Sequence, residues 1–269
     1  MDKGIYTALS GGIAMSHEIE LIANNLANAN TPGFKRDTGT FNEYLTELRR
    51  NDSVEGLQRD INAATIADGR PSGDKSFVEM DGIYTDYNQG MHKSTGRALD
   101  VAIQGPGMLE VLTPSGIRYT RQGNMSLSAD GRLVTSNGFS VLSKSIDPNI
   151  APEARIIRLG NSPINITPEG NIMQNGATVA TLGVQEFHEN QWLEKMGNSY
   201  YRNTDVKNLK PAGNGTQLRQ GSLEGSNVNA VSEMTRLIEA TRTYESHMQA
   251  IKTYQAIDGK SVTDIVKGF

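Results

Sequence analysis

The chain has 269 residues, a net charge of −4 and no cysteine. That balance provides no global basic field for nucleic acid. The lack of thiols excludes disulfides and thiolate catalysis but leaves the redox compartment open. With 6% aromatic residues against 28 glycines, the composition suits short strands and turns over one aromatic-rich core, in a length that fits about two domains.

The N-terminal stretch predicts a helix from Lys3 to about Asn28. Ile5, Ala8, Gly12, Met15, Ile19, Ile22 and Leu26 alternate in steps of three and four, which puts them on one stripe. At 1.5 Å per residue the helix would run ~39 Å. Gly4, Gly11 and Gly12 each cost roughly 0.5–1 kcal/mol in a helix interior. Two readings stay open: a weakened or kinked helix, or Gly11 and Gly12 as a place where a neighbouring backbone comes close. Polar residues interrupt this stretch, so it reads neither as a cleavable secretory signal nor as a membrane span.

Asn24, Asn25, Asn28 and Asn30 crowd the helix end. They exceed what end-capping needs and read as a polar contact surface. Pro32 forces Thr31 out of the α region, and Pro32-Gly33 fits the centre of a type II turn before Phe34. Beyond it, Phe41, Tyr44, Leu45 and Leu48 have the spacing of a short helix. Polar sequence with Gly69, Pro71 and Gly73 then makes residues 36–80 an extended connector.

The pattern turns to β for residues 81–205. Leu99–Ile103, Met108–Leu112, Ile117–Thr120 and Met125–Leu127 read as short strands, and Ile156–Leu159 and Thr178–Phe187 extend the set. Asp130-Gly131, Asn137-Gly138, Glu169-Gly170 and Asn175-Gly176 punctuate them as turns. A polar return linker, 206–225, leads to a C-terminal helix within 226–269. Ser226, Asn227 and Asn229 are its candidate N-caps, and Glu233, Glu239 and Lys252 are placed to suit its dipole. Its stripe is Ala230, Met234, Leu237, Thr241, Tyr244, Met248, Ile251 and Gln255, widened by Val231, Ile238 and Tyr254. A two-helix hairpin has one seam, so apolar residues off it, including Leu9, Leu21, Ala23 and Val231, argue for further copies covering them.

No residue set points to catalysis, a cofactor or a metal. His17, His92, His188 and His247 lack metal-ligand spacing, although His17 and His247 lie on the two helices that would meet. Gly105-Pro106-Gly107 and Gly213-Asn214-Gly215 lack the residues of nucleotide loops and read as turns. Asp81, Asp86 and Asp100 read as solvated surface carboxylates.

The string from Leu21 to Lys35, with Asn24-Asn25-Leu26-Ala27-Asn28-Ala29-Asn30-Thr31-Pro32-Gly33-Phe34, resembles the N-terminal signature of the bacterial flagellar basal-body rod and hook family. Gly90-Met91 with Thr95–Gly105, and Tyr119–Asn124 with Asp130–Thr135, look like its central-domain segments. Gly221–Asn229, with Glu233–Glu239 and Arg242, Tyr244 and Glu245, resembles its C-terminal signature and is closest in wording to the proximal rod members. The likeness fades between about Ile146 and Gln191.

The resemblance implies an α+β subunit: paired N- and C-terminal coiled-coil-like helices (1–35 and 226–269) around a central antiparallel all-β domain. It implies a non-enzymatic rod subunit crossing the periplasm, exported without a cleaved signal. Its partners would be copies of itself, other rod and hook subunits and the flagellar export apparatus, with no nucleic acid and no membrane insertion. The subunit contacts would fall on Ile5, Gly12, Met15, Ile19, Ile22, Asn24, Asn25, Leu26, Asn28, Asn30, Pro32, Gly33 and Phe34. Asn227, Asn229, Met234, Leu237, Tyr244, Met248 and Ile251 would supply the rest. The rival readings are a distal rod or hook subunit and, from another class, a cell-wall glycan hydrolase, which would need two carboxylates in a groove.

Overall fold

The computed structural model describes residues 2–46, 75–145, 150–211, 213 and 215–267. The chain divides into two compact units. One takes Met1–Asn24, Asp37–Tyr84 and Val231–Phe269, and the other takes Asn25–Arg36 and Thr85–Ala230.

In the first unit, helix α1 (Asp2–Ala27) and helix α2 (Ala230–Lys267) meet at three levels between Arg236 and Tyr254 of α2. A Cβ on Gly4 would stand 2.9 Å from the Tyr254 ring, and one on Gly11 2.7 Å from the His247 ring. Arg236 Nη2 reaches Glu18 at 3.4 Å. These contacts run in opposite chain directions, so the two helices lie antiparallel. Of the open readings of Gly11, close approach is the one realised, but side-chain rings fill the space and not a backbone. His17 does not meet His247; it faces Glu20 at 3.7 Å.

Strands β1 (Asp37–Thr46) and β2 (Lys75–Thr85) pair in a two-stranded sheet. This corrects the expected short helix: Phe41, Tyr44 and Leu45 belong to β1, while Leu48, Gly69, Pro71 and Gly73 lie outside the described residues. Pairing with a strand distant in sequence outweighs a local i, i+4 spacing that suits either structure. The Val78 N–H donates to Ser10 Oγ at 3.4 Å.

The second unit is all β apart from the end of α1 and short 3₁₀ turns. Its strands are β3 (His92–Ser94), β4 (Val101–Gln104), β5 (Met108–Thr113), β6 (Gly116–Thr120), β7 (Met125–Leu127), β8 (Leu133–Thr135) and β9 (Ser140–Val141). They continue as β10 (Ile164–Ile166), β11 (Asn171–Gln174), β12 (Ala177–Thr181), β13 (Val184–Phe187), β14 (Leu193–Lys195) and β15 (Tyr200–Asn203). The last are β16 (Leu209–Pro211), β17 (Gln217–Gln220) and β18 (Ser222–Glu224). The largest sheet runs β14-β15-β6-β5-β9-β8-β7, with β13 also on β5 and β16 on β13. Asn175 (φ 52°) and Gly176 (φ 80°) join β11 to β12, the positive-φ pair that a tight hairpin favours. Val101, Ile103, Leu109, Val111, Leu133, Ile172 and Leu182 form the heart of the main core.

Residues 206–225 are not a free linker. β16 pairs with β13, β17 with β4 and β18 with β3, so the returning chain is stitched into the β unit strand by strand. Ile156–Leu159 contributes isolated bridges at Ile156 and Arg158 instead of a full strand. Asp100 is not a solvated carboxylate either; it is buried, with Arg97 Nε at 3.8 Å.

Candidate functional site

The second unit gathers its three most distant segments at one buried point. The chain leaving α1 is wound down by successive turns: the Thr31 N–H donates to the Asn28 carbonyl at 3.1 Å, and the Phe34 N–H to the Thr31 carbonyl at 3.3 Å. Gly33 sits at φ +68°, as position i+2 of a type II turn requires, and a Cβ there would lie 2.5 Å from the Arg121 carbonyl carbon. Only glycine satisfies both demands. Its N–H donates to the Glu224 carbonyl at 2.9 Å.

This turn delivers Phe34 and Lys35 to the interior. Lys195 Nζ lies 4.0 Å from the centre of the Phe34 ring and donates to the Lys35 carbonyl at 2.9 Å. Lys35 Nζ donates to Glu224 Oε1 at 2.7 Å and to the Asn88 carbonyl at 2.6 Å. Arg121 Nη1 donates to Glu224 Oε2 at 3.1 Å, and Nη2 to the Gly105 carbonyl at 2.6 Å. The Gly90 N–H completes the carboxylate's shell at 3.0 Å. All three charged side chains are buried. Burial pushes the Lys35 ammonium below its ordinary pKa; Glu224 opposes that shift and Arg121 adds to it.

Asn227 ties the same region together. Its Oδ1 accepts from the Arg36 N–H at 2.7 Å, and its Nδ2 donates to the Asp86 carbonyl at 2.8 Å and the Asn88 carbonyl at 3.3 Å. Its side chain therefore straps three segments together. Both oxygens of Glu224 are engaged by cations and an N–H, which suits a structural tie and not proton transfer. Two grooves on this unit each carry one carboxylate among their described residues: Glu169 in one, and Glu110, held by Arg155, in the other. Neither presents the carboxylate pair that a glycan hydrolase needs.

The structure distributes the expected contact residues unevenly. Gly12 and Ile22 are buried on α1, with Ile5, Met15, Ile19 and Leu26 half-buried along the same stripe. On α2, Ile251 is buried, Leu237, Tyr244 and Met248 are half-buried and Met234 is exposed. Asn24, Asn30 and Asn229 are exposed, and Asn28, Pro32 and Asn227 are half-buried. Asn25, Gly33 and Phe34 are interior residues of the β unit, so the polar surface expected of the four asparagines loses Asn25. Lys35, Arg121 and Glu224 were not singled out as site residues. Each lies within two residues of a glycine, Gly33, Gly123 and Gly225 respectively, but nothing local links the three.

Comparison with known proteins gives this convergence its meaning. Residues 5–35 match the family profile described as flagella basal body rod protein. Residues 102–179 match the flagellar hook protein FlgE/F/G D1 domain, and 219–264 match the flagellar basal body rod FlgEFG protein C-terminal. The flagellar basal-body rod protein FlgF of Caulobacter vibrioides is 34% identical over 254 residues, covering 91% of each chain. The chain belongs to the flagellar basal-body rod family. The rod protein FlgG of Agrobacterium fabrum is 31% identical, covering 93% of this chain and 95% of its own. That of Bacillus subtilis is also 31% identical, covering 96% and 97%. This rod-family member is a structural subunit of the basal-body rod and not an enzyme. Each matched segment supplies one member of the buried triad: Lys35, Arg121 and Glu224. Among the described residues no helix is long and apolar enough to cross a membrane.

Proposed function

We propose that this subunit polymerises through α1 and α2, paired in a coiled-coil-like seam, into a tubular shaft that transmits torque, and that it occupies the proximal rod. The observation that carries the reading is the antiparallel contact of α1 with α2 at Gly4–Tyr254, Gly11–His247 and Glu18–Arg236. Ile5, Met15, Ile19 and Ile22 on α1, with Leu237, Tyr244, Met248 and Ile251 on α2, line that seam. Exposed Asn24, Asn30 and Asn229, with Met234, face neighbouring subunits of the rod and hook type. The helices serve assembly and the β unit forms the body of the subunit. The chain reaches the periplasm through the flagellar export apparatus.

Introducing a charge into the seam tests this. Met248→Asp blocks incorporation into rods while the β unit stays folded, as judged by the fluorescence of the lone Trp192, which lies in that unit. Normal incorporation of this variant into basal bodies refutes the reading.

A further inference from the structure

We infer that Asp100, Asn124 and Gln122 form a site for one hard cation of the calcium class, which ties the start of β4 to the chain just ahead of β7. The inference does not depend on how the subunits assemble.

A close backbone approach builds the site. The Val101 N–H donates to the Gly123 carbonyl at 3.0 Å. A Cβ on Gly123 would stand 1.6 Å from the Val101 carbonyl oxygen, so only glycine lets the two segments meet there. Asp100 and Asn124 are antiparallel bridge partners beside that contact. The hydrogen bond falls on their neighbours, so they are a non-hydrogen-bonded pair, with Cα atoms about 4.5 Å apart and side chains on one face. Val101 and Met125, the next residue on each segment, enter the main core, which sends Asp100 and Asn124 to the other side. Gln122 stands two residues before Asn124, the spacing that returns a side chain to the same face of an extended segment.

This face is rich in acceptors and lacks donors. Asp100 Oδ1 and Oδ2, Asn124 Oδ1 and Gln122 Oε1 are buried and accept no hydrogen bond. The Asp100 backbone is fully used: its N–H donates to the Arg97 carbonyl at 3.2 Å, and its carbonyl accepts from the Gly221 N–H at 2.8 Å. Asp100 is 1% exposed. Among the described residues the one cation within 4 Å of its carboxylate is Arg97, whose Nε stands 3.8 Å away on a side chain that is 66% exposed. That is too long for a hydrogen bond. A buried charge is paired or coordinates a metal. One water has two donors and cannot serve four such oxygens, whereas one cation can serve them together.

The donor set selects the ion. Among the described residues no three His, Cys, Asp or Glu side chains gather, so amide oxygens complete the set. Oxygen without sulfur or imidazole disfavours zinc, and irregular carbonyl ligation suits Ca²⁺ over Mg²⁺, which demands an octahedron and keeps its waters. Half-buried Asn124 leaves the ion a way in. A single carboxylate sets the affinity at the weak end, about 10⁻⁴–10⁻³ M.

The full chain, stripped with EDTA, is titrated with Ca²⁺ at constant ionic strength and followed by calorimetry and thermal melting. At about 10 mM, Ca²⁺ should raise the Tm by roughly 3–10 °C, and Mg²⁺ by much less. Asp100→Asn abolishes the shift. Asn124→Asp keeps the volume and covers the case in which Asp100→Asn fails to fold. It sets a second carboxylate beside the first, so it melts below the unaltered chain in EDTA, and Ca²⁺ restores it and binds roughly tenfold more tightly. A Ca²⁺ shift that survives Asp100→Asn overturns the inference, and so does an Asn124→Asp loss that Ca²⁺ leaves unchanged. An unaltered chain that melts alike in EDTA and in Ca²⁺ also overturns it, and assigns the Asp100 carboxylate to an Asn124 amide turned to donate through Nδ2.

Discussion

Replacing Glu224 by glutamine keeps the volume of the buried triad's only anion but removes its charge. Lys35 and Arg121 then remain buried as two cations without their shared counter-charge, Asp86 acting on Lys35 only as the smallest of its influences, and the new amide turns a donor toward one of them. Breaking a buried ion pair from one side costs about 3–5 kcal/mol, against a total stability of about 5–15 kcal/mol for a domain. With a urea m-value of about 2 kcal/mol/M, the midpoint should fall by about 1.5–2.5 M. Lys35→Met is the informative companion. It removes the cation that burial already disfavours, and it leaves Glu224 held by Arg121 and the Gly90 N–H. Its cost should be smaller, about 1–3 kcal/mol for the lost hydrogen bonds. Urea unfolding followed by circular dichroism and Trp192 fluorescence measures both. A Lys35→Met variant as unstable as Glu224→Gln, or a Glu224→Gln variant within about 0.5 kcal/mol of the unaltered chain, would refute the account of the triad as an anion-centred tie.

Gly33→Ala should destabilise the β unit by more than the ~1–2 kcal/mol of left-handed backbone strain, because the added methyl also meets the backbone of Arg121; thermal melting reads the loss. Asn227→Ala removes three hydrogen bonds between segments and should cost about 1–3 kcal/mol in the same unfolding assay. Glu186 is a pH probe. Burial pushes its carboxyl up, but the Thr216 hydroxyl at 2.6 Å, the Gly213 N–H at 3.0 Å and Lys210 together hold its pKa below the ordinary value of 4.5. A depressed folded-state pKa contributes stability above the unfolded value and loses it as pH falls through the folded one. Glu186→Gln should therefore be less stable than the unaltered chain at pH 7, and the two should converge in acid; denaturation series at both pH values check this.

The helices and the Pro32-Gly33 turn were legible in the sequence because their signals are local: a three-four stripe in one case, a fixed-φ residue followed by glycine in the other. Asn175-Gly176 was legible for the same reason. What escaped was non-local. β1 carries Phe41 and Leu45 at a spacing that fits helix or strand, and its partner β2 starts near residue 75. The strands of the return segment are three or four residues long and owe their existence to β3, β4 and β13. Lys35, Arg121 and Glu224 look like ordinary surface charges, since charged residues are exposed by default. Nothing near any one of them reveals that the other two will meet it in the interior.

Lys35 and Glu224 are 189 positions apart in sequence yet share a hydrogen bond, and the Arg36 backbone is held directly by Asn227. Mechanically this is a shunt. A pull entering the β unit along its first segment can leave along its last through a few charged contacts, and the intervening strands need not bear it in series. A twisting shaft built from such units would be limited by the strength of this short bypass before the sheets themselves began to peel.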